Sequence, residues 1–238
     1  MKIACWSGPR NLSTAMMYAF GNRADCAAVD EPFYAAYLAR TGLPHPMRDA
    51  VLASQSQDPA QVIADLTGPV PGGLPHVYHK HMAQHMITGI PRDWMGGMAH
   101  LILLRHPARV VASFAKGYAH TTLDDVGFVQ LAGIYDDLLA QGLEPVVVDS
   151  ADIRRAPERM LRLICDRIGL SWDPAMLSWP AGPKPFDGVW AAHWYGAVHG
   201  STWFAGPEGA LPNLSGDLAG LVEAAMPFYD RLAAVRIG

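Results

Sequence analysis

The sequence predicts an α/β domain built on a mainly parallel central sheet. Two observations predict it. Short apolar runs alternate with longer amphipathic stretches along the 238 residues, the rhythm of strand and crossover helix repeated. Chemically loaded segments also stand directly after the first four apolar runs: GPRNLST, DEPF, HKHMAQH and RHPARVVAS. Loops at the carboxyl ends of parallel strands converge on one edge of the sheet, so residues far apart in the chain are expected to form one site.

The elements follow in order. Residues 3–6 form a first strand that runs into Gly8-Pro9, and Ser13-Thr14 then open an apolar segment ending near Gly21, which predicts a helix over 14–20. A second strand is expected over 27–30 and a helix over 58–66. PVPGGLP at 69–75 is a loop leading to a third strand over 76–80. The fourth strand, over 100–104, is followed by a helix over 107–117 introduced by Pro107. Apolar residues at helical spacing predict a helix over 123–140, and 145–148 is the fifth strand. The stretch PERMLRLICDRIG, 157–169, starts with proline in its first turn and stops at glycine, as a helix should. A last helix is expected over 214–235, interrupted before Pro227. Residues 180–212 are dense in Gly, Pro, Trp and His. That is long for a plain connector, so an ordered lid or flap is expected. There is no internal repeat.

Composition bounds the class. Half the residues are apolar, enough to bury one large core, and 1–238 is read as a single domain. The formal net charge of −4 leaves no electrostatic footprint for nucleic acid or an anionic membrane as partner. Cys5, Cys26 and Cys165 are odd in number and widely spaced, which fits buried free thiols in a reducing compartment, so a cytoplasmic location is expected. The opening MKIACWSGPR has too short an apolar run for a signal peptide, and no run is long enough to span a bilayer.

The stretch WSGPRNLSTAMM, 6–17, reads as a phosphate-cradling loop. Backbone N–H groups at a helix start lack intrahelical partners and carry the positive end of the helix dipole. The strict triphosphatase pattern G-x-x-x-x-G-K-[ST] is not met, because the second glycine and the lysine are missing and Arg10 is the one cation in the loop. An ordinary strand-to-helix turn capped by Ser13 or Thr14 is the alternative.

In LILLRHPARVVASF, Arg105 ends a strand and Ser113 lies eight residues on. This resembles the 3′-phosphate-binding motif of the P-loop sulfotransferases. Pro9, Arg10, Asn11, Leu12, Ser13 and Thr14 align with that family's loop P-[KR]-S-G-T-[ST], departing from it at Asn11 and Leu12. The segment ADIRRAPERMLRLICDRIGLSWDPAM is similar to the family's helix after its fifth strand. The G-x-x-G-x-x-K motif of the cytosolic animal enzymes is missing from 180–212, so the chain looks closer to bacterial sulfotransferase-like proteins. The resemblance implies a P-loop NTPase-like three-layer α/β/α fold. It implies transfer of a sulfuryl group from 3′-phosphoadenosine 5′-phosphosulfate (PAPS) to a hydroxyl or amine of a small-molecule acceptor, with 3′-phosphoadenosine 5′-phosphate (PAP) as product and no metal required. Gly8 to Thr14, with Arg105 and Ser113, would bind the donor. Arg10 would stabilise charge on the leaving phosphate oxygen.

The acceptor must lose a proton as the sulfuryl group arrives, so a general base is needed. Glu31 follows the second strand, near where some bacterial and Golgi-type sulfotransferases place a glutamate base; alternatively, Asp30 and Glu31 simply start a helix. His81 resembles the histidine of the K-T-H segment of cytosolic sulfotransferases, but two registers are open. One puts Lys80 on the family lysine and Met82 on the histidine, and the other uses His81 and His79. Lys80 would stabilise the transferring oxygens, and His85 lies four residues after His81. Zinc chelation by His81 and His85 is disfavoured, since the glutamate of H-E-x-x-H is missing. Trp190, His193, Trp194, Tyr195, His199 and Trp203 either wall an acceptor pocket or fill core. Two rival functions remain at this level. One is an atypical phosphotransferase with Asp149 as its metal-binding acid. The other is a non-catalytic nucleotide binder.

Overall fold

In the computed structural model, which describes residues 1–117 and 120–238, the five apolar runs become strands β1 (Lys2–Ser7), β2 (Cys26–Asp30), β3 (His76–Met82), β4 (Ala99–Leu104) and β5 (Val146–Asp149). All pairings are parallel, in the order β2-β3-β1-β4-β5. Both faces of such a sheet are covered, so most of its strands read as apolar runs rather than alternating ones, β3 (HVYHKHM) excepted. Ile3, Cys5, Leu101, Leu103, Val146 and Val148 face one core. Ala4, Trp6, Ile102, Leu104 and Val147 face the other.

The first core is closed by α1 (Ser13–Gly21), α2 (Tyr34–Thr41), α3 (Arg48–Ser54) and, further along the chain, α8 (Pro157–Ile168). The second is closed by α4 (Pro59–Thr67), α6 (Phe128–Ala140) and the end of α11 (Gly216–Ala233). A smaller apolar cluster joins α5 (Pro107–Phe114) to α11. The short helix α7 (Ser150–Arg155) follows β5 directly. Two single-turn helices, α9 (Ala191–Trp194) and α10 (Gly196–His199), lie in the 180–212 segment.

Two expectations are corrected. The helix expected over 123–140 begins only at Phe128, because Gly127 adopts φ +72° and mutual hydrogen bonds between Thr122 and Asp125 fold the preceding residues into a turn. The last helix runs unbroken through Pro227, where the missing N–H costs one backbone hydrogen bond. The helices α2, α3 and α7 were not anticipated as elements. Among the described residues, no helix is long and apolar enough to cross a membrane.

The strand order reverses at β1, with β3 on one side and β4 on the other. Ligand sites of open α/β sheets lie at such a switch point, outside the carboxyl ends of the strands. Gly8 begins the loop there, and a Cβ on it would sit 2.6 Å from the Val126 carbonyl oxygen. Gly8→Ala is therefore expected to lower stability by about 1–3 kcal/mol, as overpacking does, read as a lower thermal midpoint.

Candidate active site

A cavity of about 690 Å³ opens at the switch point, within the size range of small-ligand sites. Its wall draws on the loop after β1, the ends of β2, β3 and β4, helix α5, and the α9–α10 segment.

The loop is held by its unusual residues. Asn11 donates from Nδ2 to the Leu103 carbonyl on β4 at 2.8 Å, and its Oδ1 accepts from the Leu12 N–H at 2.7 Å. Leu12 packs against the first core. Asn11 thus ties the loop to the sheet and Leu12 ties it to the core. Helix α1 has no side-chain cap at its start. The N–H groups of Ser13, Thr14 and Ala15 have no intrahelical acceptor at that position, and all three residues line the cavity. Pro9, Arg10 and Asn11 line it as well, whereas Gly8 and Leu12 lie behind the wall.

Arg10 sits at φ +56° and Glu31 at φ +40°, a region that non-glycine residues seldom occupy and that is retained chiefly at functional sites. Arg10 donates from Nε to Ser113 Oγ at 2.9 Å. Arg105 donates from Nη1 to the Arg10 carbonyl. Arg105 and Ser113, eight residues apart in sequence, therefore meet the loop residue Arg10 at the cavity edge. A strand end and the following helix bring them there.

On the β3 side of the loop lies a buried charge cluster. Lys80 is 1% exposed and donates to Asp30 Oδ1 at 2.9 Å, to Tyr195 Oη at 2.8 Å, and to Glu31 Oε1. These three bonds use every ammonium proton. No Lys80 N–H is left for a sulfuryl oxygen in this arrangement. Burial alone would lower the Lys80 pKa, but the Asp30 and Glu31 carboxylates outweigh it and hold Lys80 above its ordinary value. Tyr195 donates its hydroxyl proton to Asp30 and accepts from Trp190 Nε1 at 3.2 Å. The Gly188 N–H reaches Asp30 Oδ2 at 3.1 Å. The 180–212 segment is thereby anchored on the end of β2.

The Glu31 backbone is fixed on both sides. Its N–H donates to the Lys80 carbonyl at 2.8 Å, and its own carbonyl accepts from Tyr34 N–H at 3.0 Å and Gln55 Nε2 at 3.1 Å. Its carboxylate lines the cavity. Burial pushes the Glu31 pKa up, with Lys80 opposing and Asp30 reinforcing. Oε1 is held by Lys80, while Oε2 is 4.0 Å from His85 Nε2, beyond hydrogen-bond range.

His81 is not brought to the cavity. Successive β3 side chains alternate between faces, so Lys80 and Met82 point to the cavity side and His81 to the other, where it stacks on Trp6 at 4.2 Å between ring centroids. Burial, followed by the neighbouring histidines and Lys80, drives its pKa well down. Of the residues in the two registers, Lys80 and Met82 line the cavity, and His79 and His81 do not. His85 does line the cavity, stacked between Tyr34 and Tyr37 at 4.6 and 4.8 Å. It ends the single 3₁₀ turn that follows β3, Ala83–His85, rather than sharing a helix face with His81, which lies in the strand. Its pKa is likewise driven well below the ordinary value by burial, then by His45 and Lys80. Asp149 lies outside the cavity wall and is spent on structure, capping α7 through the Ala151 N–H at 2.8 Å and accepting from Tyr229 at 2.8 Å.

The aromatic segment divides between the two readings of it. Trp190 is buried in the first core, Trp203 is half exposed, and His193, Trp194 and Tyr195 line the cavity. Two features lay beyond the sequence reading. Tyr195 proves to be a member of the Lys80 cluster. Glu208, in the same segment, is ion-paired to Arg105, Arg109 and Arg154. Only the density of aromatic residues marked this region in the sequence.

A parallel sheet with an uncapped helix start lining a cavity at its switch point defines an α/β protein of the P-loop-like kind. A sulfotransferase domain model matches residues 1–236, and the chain belongs to the sulfotransferase family. This replaces the phosphotransferase alternative. The chain is 38% identical over 230 residues to branched-chain-amino-acid aminotransferase-like protein 1 of Arabidopsis thaliana, and 36% identical over 233 residues to protein 2 of that name. Each match covers 97% of this chain and 41% of the relative, so the chain spans about two fifths of the length of these curated relatives. Among solved structures, the sulfotransferase domain from the curacin biosynthetic pathway superposes with a TM-score of 0.56 at 16% identity, covering 94% of this chain and 95% of that one. A sulfotransferase from Alicyclobacillus acidocaldarius gives 0.55 at 13% identity, covering 99% and 96%. These likenesses are of fold.

Proposed function

We propose that this chain transfers the sulfuryl group of PAPS to a hydroxyl or amine of a small-molecule acceptor, with Glu31 as general base. The observation that carries the proposal is one cavity lined both by an uncapped helix start with Arg10, Arg105 and Ser113 and by the Glu31 carboxylate. The sheet order supports a division of labour. Arg105 follows β4 and Glu31 follows β2, so donor-binding and proton-accepting groups flank the loop after β1 from opposite sides.

In this reading Ser13, Thr14 and the N–H groups at the start of α1 hold the donor's 5′-phosphate, and Arg105 with Ser113 hold the 3′-phosphate. The acceptor oxygen or nitrogen forms a bond to sulfur as the bond from sulfur to the 5′-phosphate oxygen breaks. The electron pair leaves on that phosphate oxygen, where Arg10 stabilises the added charge. The acceptor proton passes to Glu31 Oε2. Lys80 keeps Glu31 ionised and aimed, and buries the charge balance of Asp30. Glu31 suits the task better than His85, because burial raises the proton affinity of a carboxylate and lowers that of an imidazole. The residues of the α9–α10 segment close the acceptor side and exclude water.

Arg105→Ala is the test of the donor assignment. It is expected to remove the preference for adenosine 3′,5′-bisphosphate over adenosine 5′-phosphate, a loss of about 10- to 100-fold in affinity for the former alone, as suits one charge-assisted bond. Equal weakening of both nucleotides in a titration would refute the assignment of the 3′-phosphate to Arg105.

A further inference from the structure

Three guanidinium groups converge on one carboxylate behind the cavity wall. Glu208 Oε1 accepts from Arg105 Nη2 and from Arg154 Nη1 at 2.7 Å, and Arg109 Nε lies 3.0 Å from Oε2. The Glu208 side chain is 6% exposed. Its chain neighbours are held by the same arginines, since Arg154 Nε donates to the Gly206 carbonyl at 2.8 Å and Arg109 Nη2 to the Gly209 carbonyl. The peptide around Glu208 belongs to no helix or strand. Its position therefore rests on these contacts.

The charges within this cluster do not balance. Three guanidinium groups face a single carboxylate, whereas a phosphate monoester carries close to two negative charges and three acceptor oxygens. Planar arginine donors suit such a group. Arg105 belongs both to this cluster and to the cavity wall, while Glu208 does not line the cavity.

We infer that Arg105, Arg109 and Arg154 form an anion site on which Glu208 is seated as an internal counter-anion, and that the donor's 3′-phosphate displaces Glu208. Glu208 then sets how tightly and how selectively that phosphate binds. The inference rests on the PAPS reading above, which supplies the 3′-phosphate. It adds Arg109 and Arg154 as ligands and a competing carboxylate from the chain's own 206–209 segment.

The test compares the unmodified chain with Glu208→Gln in calorimetric titrations of adenosine 3′,5′-bisphosphate and adenosine 5′-phosphate. A competitor's removal strengthens binding, whereas a supporting residue's removal weakens it. Glu208→Gln is expected to bind the bisphosphate about tenfold more tightly, with adenosine 5′-phosphate unchanged. If the unmodified chain prefers the bisphosphate but Glu208→Gln binds it no better, the inference fails and the donor reading stands. If neither protein prefers the bisphosphate, both fail. A second measurement needs no variant: cleavage of the unmodified chain after Glu208 by a glutamate-specific protease. Saturating bisphosphate is expected to accelerate that cleavage severalfold, and an unchanged or slower rate would overturn the displacement.

Discussion

Glu31→Gln is expected to lower kcat about 100- to 10,000-fold, the usual contribution of a positioned general base, with little change in donor affinity. The amide keeps the shape and still accepts a hydrogen bond from Lys80, but it cannot take a proton. Its pH dependence makes the assignment specific. Burial raises the Glu31 pKa above the ordinary carboxylate value of 4.5, and the base acts only when ionised. Activity of the unmodified chain should therefore fall as the pH drops through that raised value, giving an acidic limb that begins above pH 4.5. Glu31→Gln should show a low rate without that limb. Retention of the limb in the variant, measured as kcat against pH, would move the base role to another group.

Arg10→Ala is expected to cost about 100- to 1,000-fold in kcat, the range found when a preorganised donor to developing charge is removed. Arg10 is the one cation of the loop. It is held at φ +56° with Nε on Ser113 and its carbonyl under Arg105. Strain of this kind persists where the surroundings overdetermine it, and here two contacts hold it. A lysine at position 10 would keep the charge but lose the forked donors, so Arg10→Lys should recover only part of the rate. A fall confined to KM in single-turnover and steady-state measurements would reduce Arg10 to a binding role.

The parts of the architecture that depend on local pattern were legible in the sequence. The strands were, because a parallel strand buried on both faces tends to leave a short apolar run, with β3 (HVYHKHM) the exception in composition. That Arg105 and Ser113 come together at the cavity was legible because one strand end and one helix fix their separation. The side of β3 that faces the cavity was not. His79, Lys80 and His81 are all polar, and only the packing of Trp6 against His81 and the register Asp30 to Lys80 reveals which of them points to the cavity. Glu208, and the part of Tyr195 in the Lys80 cluster, were missed for a different reason. Each meets partners more than fifty residues away in a segment without periodicity, where local pattern carries no information about contact. Asn11 and Leu12 looked like defects in the loop. In the structure Asn11 bonds to β4 and Leu12 packs on the core, so both residues hold the loop in place.

The central claim is that this site reads a 3′-phosphate. Its most direct test is a calorimetric titration of the unmodified chain, without metal, with adenosine 3′,5′-bisphosphate, adenosine 5′-phosphate and, separately, ATP with magnesium. Selective metal-free binding of the bisphosphate is the predicted result. Equal affinity for the first two nucleotides, or preference for ATP with magnesium, would contradict it.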